Sequence, residues 1–300
     1  MSPLIYIILL SIAGIFIIFI LMNYILQQVV YLPHIHNART PIDFQLNYNE
    51  YFLKTKSMKK IQLWDLNPGK HAQIVLLVHS WSRAADTLLP LGSVLAKNNR
   101  VFLLNVRNHG KSDNDKELSI TKFKEDIASA LDYIRKNLQL TEDIVLLGHS
   151  FGAAAAIELG RVSHDIAGFV IISLFRDGEN LMRQKFLNKK LPAAFVDSLI
   201  RFIEIKNDEK LSCIAPRKKI KLINKPVLLI QGEKDSAFTA EEIKSLRKKL
   251  PDGSQSVIVK EADQESVLVN EKVFTSTTKF LKKLSESGNK VNMKIIKRVD

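Results

Sequence analysis

The sequence predicts an α/β fold, a mostly parallel sheet with helices on both faces, preceded by one transmembrane helix. Three observations carry this. Short, β-branched apolar runs at 74–78, 101–105, 144–147, 169–172 and 227–230 alternate with helical segments at 87–97, 120–138, 151–162 and 240–250. Strands buried on both faces read as such continuous runs, and strand–helix alternation implies a parallel sheet. Residues 3–22 are apolar except for Ser11 and Gly14, and no Asp, Glu, Lys or Arg precedes Arg39. Finally, the run at 144–147 leads directly into Gly148-His-Ser150-Phe-Gly152 and then a helix-forming stretch.

Each element has its local reason. About 20 apolar residues span a hydrocarbon layer as a helix, and no basic leading region or small-residue cleavage site marks a signal peptide. Tyr24 and Tyr31 fall where an interfacial aromatic belt is expected. Arg39 and the lysines from Lys54 to Lys60 follow the helix, which places the C-terminal domain in the cytoplasm. Segments 51–56 and 60–66 read as an antiparallel pair. Segments 257–260 and 273–284 supply a last strand and a closing helix. Thr239, followed by Glu241 and Glu242, is an N-cap signal. From 177 to 223 the rhythm breaks around Pro192 and Pro216, with amphipathic stretches at 181–187 and 194–205. A small cap insertion is expected there.

Composition narrows the classes. Of 300 residues 46% are hydrophobic and 25% charged, enough for a sizeable core and against disorder. The single cysteine, Cys213, excludes an internal disulfide, and neither a metal site nor a cofactor is expected. The net charge of +13 lies mostly in the C-terminal half, including Arg217, Lys218, Lys219, Lys297 and Arg298. No aromatic interleaving or recognition motif points to nucleic acid, so this charge is expected either to meet an anionic leaflet or to serve as a solubilising surface.

The strand–Gly-x-Ser-x-Gly–helix context is that of a nucleophile elbow, whose tight turn needs flanking glycines and exposes the Ser150 hydroxyl at a helix N-terminus. Other strand ends carry His79-Ser80-Trp81, Arg107-Asn108-His109-Gly110-Lys-Ser112 and Pro226-Val-Leu-Leu-Ile-Gln-Gly-Glu-Lys-Asp235. On these motifs the sequence resembles the α/β-hydrolase superfamily over residues 51–284. It is most similar to the serine-aminopeptidase and monoacylglycerol-lipase-like branch, including members with an N-terminal membrane anchor. The usual family forms have Gly where Ser80 stands, Asp where Asn105 stands and Gly where Asn108 stands, which marks a divergent member.

The resemblance implies an α/β-hydrolase domain at 51–285 with its cap insertion at about 177–223. A transmembrane anchor at 1–32, a linker at 33–50 and a basic tail at 286–300 complete the layout. It also implies Ser150 as nucleophile, Asp235 as triad carboxylate, and the Trp81 and Phe151 N–H groups as oxyanion donors. His79 reads as a loop-holding residue, His109 as part of a structural loop motif. His149 is expected to point away from the catalytic face, with His164 at the far end of the sheet.

The triad histidine is missing. All seven histidines lie at or before His164, and Gln264 occupies the expected position in Lys260-Glu-Ala-Asp-Gln-Glu. An amide cannot take a proton from serine near neutral pH. Asp263 and Glu265 are the neighbouring carboxylates that a shifted turn could offer as a base. Two functions follow. One is a membrane-anchored serine hydrolase acting on an ester, thioester or amide of a small-molecule or lipid-like acyl substrate, with an atypical triad. The other is a catalytically inactive homologue that binds a ligand or partner at the membrane. Ser150, Asp235 and the elbow glycines favour the first, and the missing histidine favours the second.

Overall fold

The computed structural model describes residues 3–30, 33–69, 73–115, 119–161, 165–207 and 210–296. Tyr31, His164, Lys297 and Arg298 lie outside these described residues. In chain order the chain forms α1 (Pro3–Val29), β1 (Tyr48–Lys54), β2 (Lys60–Leu66), β3 (Gln73–Val78), α2 (Leu89–Leu95) and β4 (Arg100–Asn105). Then come α3 (Ile120–Lys136), β5 (Asp143–His149), α4 (Phe151–Gly160), β6 (Ile166–Ile172), α5 (Gly178–Asn188) and α6 (Ala193–Asn207). Last are α7 (Pro216–Lys219), β7 (Val227–Gly232), α8 (Ala240–Arg247), β8 (Gln255–Val259) and α9 (Glu271–Ile296).

These elements fall into two compact units. One joins Met1–Pro33 with Asp177–Ala215, and the other joins His34–Arg176 with Pro216–Asp300. In the first, α1 is long and apolar enough to cross a membrane. It packs on α6 through an edge-to-face pair of Phe19 and Phe202, with ring centroids 5.6 Å apart, and Lys206 Nζ donates to Asn23 Oδ1 at 3.3 Å. Asp177 caps α5 by accepting from the Asn180 N–H, and Arg183 on α5 reaches Asp197 on α6 at 2.6 Å.

The second unit is an eight-stranded sheet in the order β1-β2-β4-β3-β5-β6-β7-β8. β2 runs antiparallel to both its neighbours, and every pair from β4 through β3 to β8 is parallel. The β-branched runs form the middle of the sheet, and β3, β5 and β7 are buried along nearly their whole length. Val75, Leu77, Leu103, Val145, Leu147, Val170 and Ile230 join one core on one face of the sheet.

Boundaries shift where local chemistry is stronger than periodicity. The helix expected from 87 starts at Leu89, because Pro90 is tolerated only in a first helical turn, and Ala85–Leu88 is a 3-10 turn. α9 continues past the expected end at 284 to Ile296, through the start of the segment read as a tail. Residues at the position of the expected linker are fastened to the sheet unit. The Ile35 N–H donates to the Asn108 carbonyl at 2.9 Å, the Gly110 N–H donates to Ile35 at 2.7 Å, and the Ala38 N–H donates to Asp86.

The loop after β4 is held by a fully buried guanidinium. Arg107 contacts Asp126 on α3 at 2.6 Å and also pairs with Asp115 and Glu125, each at 3.0 Å. Burial raises the Asp126 pKa, and the hydrogen bonds and charge of Arg107 oppose that rise. Arg107→Met is expected to lower the unfolding free energy by about 3–5 kcal/mol, because Asp126 is left buried without its cation. Arg107→Met combined with Asp126→Leu should recover most of that loss in denaturant titrations of the detergent-solubilised protein.

Candidate active site

Ser150 follows β5 and turns the chain into α4 with φ 50° and ψ −105°, a region that side-chain-bearing residues rarely adopt. The flanking glycines make the turn possible. A Cβ on Gly148 would meet the Ala153 backbone at 2.5 Å, and one on Gly152 would meet the His79 carbonyl at 2.5 Å. α4 can therefore approach β3 only without those side chains. Phe151 opens α4, so its N–H has no intrahelical acceptor and remains available to an incoming anion.

Gln264 reaches this point from the turn after β8. Its Nε2 donates to Ser150 Oγ at 2.8 Å, across 114 residues of sequence. Its main-chain carbonyl lies 2.9 Å from His149 Nε2. His149 thus sits beneath the Gln264 turn as a support for that turn, a role the sequence did not disclose. Burial lowers the His149 pKa, and the hydrogen bond to Gln264 opposes this, so the ring is a neutral donor to that carbonyl.

The turns after β7 and β8 are joined. The Lys234 N–H donates to the Ala262 carbonyl at 2.8 Å, and the Glu261 N–H donates to Glu233 at 3.1 Å. Gly232 allows this, since a Cβ there would collide with the Ala262 and Asp263 carbonyls. Asp235 in the same turn accepts from the Ala237 N–H at 3.0 Å. Burial raises its pKa, the bond from Ala237 and the Ser173 hydroxyl oppose this, and nearby Asp263 adds to the rise. No hydrogen bond between Asp235 and Gln264 occurs among the described contacts. Gln264 and Ser150 are brought together, whereas Asp235 is not joined to Gln264 as a triad carboxylate is joined to its histidine.

The neighbouring carboxylates are engaged elsewhere. Asp263 Oδ1 accepts from the Glu265 and Ser266 N–H groups and the Ser266 hydroxyl, and these bonds hold its pKa below the ordinary value. Glu265 pairs with Arg83 at 3.0 Å on the surface. A carboxylate with a lowered pKa is a poorer base, and one facing an arginine in solvent is not desolvated.

On the other side of the elbow His79 holds its loop as expected. It accepts from the Val106 N–H at 3.3 Å through Nε2 and donates through Nδ1 to the Ser80 carbonyl at 2.7 Å. Burial keeps it neutral. His109 Nε2 lies 2.7 Å from the Trp81 carbonyl, which fixes the peptide whose neighbour is the expected oxyanion donor. The Trp81 ring lies 5.2 Å from Phe151, which also meets Phe123 at 5.0 Å and Phe175 at 6.2 Å. Phe175 escaped the sequence reading. It follows β6 by three positions, and loops at the C-terminal ends of parallel strands are where such walls arise.

Departures from the family pattern have local accommodations. Asn108 has φ 67°, and Asn is the residue after Gly that best tolerates this region. The Asn105 amide accepts from the Ala85 N–H and donates to Gln62. Ser80 has no positive φ, so no glycine is required there.

The Alpha/beta hydrolase family model matches residues 75–217. An esterase from Pyrococcus furiosus superposes with a TM-score of 0.68 at 20% identity, covering 84% of this chain and 96% of that one. This chain has the α/β-hydrolase fold. A membrane phospholipase A, described as a bacterial virulence factor, gives a TM-score of 0.60 at 15% identity and covers 94% of this chain and 98% of its own. In sequence, protein phosphatase methylesterase 1 of Schizosaccharomyces pombe is 24% identical over 184 residues, or 57% of this chain. The hydrolase-fold chain spans about half the length of that curated relative, 52%. Among the described residues no group of three His, Cys, Asp or Glu side chains could hold a metal ion.

Two measurements check this geometry. Ser150→Gly should stabilise the fold by about 1 kcal/mol through relief of the backbone strain, whereas Ser150→Ala should not. For Asp235, a raised folded-state pKa means that the folded chain binds the proton more tightly than the unfolded chain. Stability is therefore lost as pH rises from the ordinary carboxylate value through the raised one, and the charged form costs stability at neutral pH. Asp235→Asn should raise the Tm at pH 7, and the gain should shrink to nothing below the ordinary carboxylate range.

Proposed function

We propose that this chain is a membrane-anchored serine hydrolase that opens activated esters or thioesters at Ser150 without a histidine base. The observation that carries the proposal is Ser150 Oγ at the strained elbow, held by the Gln264 amide at 2.8 Å beside the first N–H of α4. Esterase, methylesterase and phospholipase relatives of the same fold lend support. Anchoring is supported by α1, whose 27 residues make a helix of about 40 Å against a hydrocarbon layer of about 30 Å. The basic residues after Arg39 favour a cytoplasmic hydrolase domain, and the basic surface favours an anionic leaflet.

In this scheme Ser150 Oγ attacks the acyl carbon, and the Phe151 and Trp81 N–H groups receive the charge that develops on the carbonyl oxygen. Gln264 donates to Oγ and so favours its anionic form, and the serine proton passes to solvent water, because the amide cannot accept it. The leaving group must then depart without protonation, which restricts the substrate to activated acyl groups. Water attack on the acyl-serine has no base either, so the acyl-enzyme accumulates. The Gln264 hydrogen bond equally favours a second reading, in which the elbow is inert and the fold binds a ligand or partner at the membrane.

Intact-protein mass spectrometry after exposure to a p-nitrophenyl ester separates the two. The hydrolase should retain one acyl group, lost in Ser150→Ala, and Gln264→His should raise turnover at least about tenfold with a rise near the imidazole pKa. Labelling of Gln264→His alone selects the inert reading, and labelling that survives Ser150→Ala sinks the assignment of the nucleophile.

A further inference from the structure

The outer edge of β1 lies outside the candidate active site, and no described strand pairs with it. β1 is bonded to β2 alone, in a register that sets Tyr51 opposite Leu63 and Leu53 opposite Ile61. Two bonds bracket that pair, Asn67 N–H to Asn47 carbonyl at 2.7 Å and Thr55 N–H to Lys59 carbonyl at 2.9 Å. Antiparallel pairs alternate, so the odd-numbered residues of β1 turn their backbone groups toward β2. The N–H and C=O groups of Tyr48, Glu50, Phe52 and Lys54 therefore point outward.

Beside the end of this edge runs a groove of about 670 Å³, walled by Phe52 and Lys54 on the strand side and by Thr121, Lys124, Ala128 and Tyr133 on α3. Its charges are unbalanced. Of its two carboxylates, Glu125 accepts from Arg107 and from the Ser57 N–H, and Asp132 pairs with Lys136 at 3.2 Å. Lys54, Lys56 and Lys124 have no carboxylate partner among the described residues. Lysines on an edge strand disfavour pairing with a second copy of the same edge. They do not disfavour an acidic strand. Phe52, 43% exposed, lies on the strand face opposite Tyr51, with Lys60 Nζ 5.2 Å from its ring centroid.

We propose that this groove docks an extended acidic segment of a partner protein, which adds to β1 as a ninth strand. Its backbone would bond to the outward groups of Phe52 and Lys54, and acidic side chains on its two faces would lie beside Lys124 on the α3 side and beside Lys54 on the opposite side. The groove accommodates about four or five residues at roughly 3.4 Å each. A backbone edge with alternating free donors and acceptors suits a peptide better than a lipid headgroup, which offers no matching ladder.

The test uses the full chain in nanodiscs of phosphatidylcholine and a fluorescent ten-residue peptide alternating glutamate with valine and threonine, read by anisotropy. The peptide should bind at least about tenfold more tightly than its lysine counterpart, and Lys54→Glu with Lys124→Glu should abolish that preference. Phe52→Pro removes an outward N–H and should weaken binding about tenfold, whereas Phe52→Val should stay within about threefold. A glutamate peptide N-methylated at alternate residues keeps the charge but loses the ladder, and its binding should fall as far even if Phe52→Pro does not fold. Equal binding of the N-methylated and plain peptides overturns the proposal, as does equal binding of the glutamate and lysine peptides. It is also overturned if charge reversal releases phosphatidylserine vesicles while peptide binding is unchanged, the outcome expected of a headgroup site.

Discussion

The backbone turn at Ser150 is the constraint on which the candidate site depends. A parallel strand that must become a helix within one residue needs φ 50° there, and α4 must then pass against the end of β3. Gly148 and Gly152 are the only side-chain solution, because backbone atoms occupy the space a Cβ would take. The same approach places the first N–H of α4 beside the hydroxyl and brings Phe151 against Trp81, Phe123 and Phe175. Gly232 repeats the device at the end of β7, where it lets the turn after β8 close over the sheet edge. Positive φ also occurs at Asn108, Ser173 and Glu261, which follow β4, β6 and β8.

Electrostatics at this edge run opposite to those of a catalytic triad. In a triad a neutral imidazole accepts the serine proton and a carboxylate stabilises the resulting cation. Here a neutral amide donates to the serine, the turn carboxylate has its pKa raised by burial, and Asp263 is locked as the acceptor for its own turn. His149 is close in sequence, yet burial keeps it neutral and its Nε2 serves the Gln264 carbonyl. The arrangement keeps the shape of the elbow, while the side chain bonded to Ser150 Oγ is a donor and not a proton acceptor.

The polar scaffold around the loop after β4 shows how a divergent sequence keeps this edge in place. Arg107 collects three carboxylates at zero exposure, and its bond to Asp126 ties the loop to α3. Such a cluster adds little net stability over a well-packed apolar one, but removing a single member is costly. Asn105 and Asn108 satisfy neighbouring backbone groups in the same loop, and His79 and His109 clamp the segment that carries Trp81. Polar complementarity sets the position of the segment after β3 that carries Trp81.

By itself the sequence determined the alternation of strands and helices, the parallel core, the apolar first helix, the elbow and the absence of a histidine after Asp235. Those features are local, since a residue's own neighbours decide whether it fits a buried strand, a helix face or a tight turn. Tertiary structure alone decided that the Gln264 amide meets Ser150, that His149 supports the Gln264 turn, and that Asp235 accepts from the Ala237 N–H. It also decided that α1 packs on α6 and that, among the described residues, no strand pairs with the outer edge of β1 beside α3. These outcomes turn on which strand ends lie side by side and how far each turn reaches. Hydrogen-bond donors and acceptors must meet within a few tenths of an ångström, and hydrophobic periodicity along the chain carries no information at that scale.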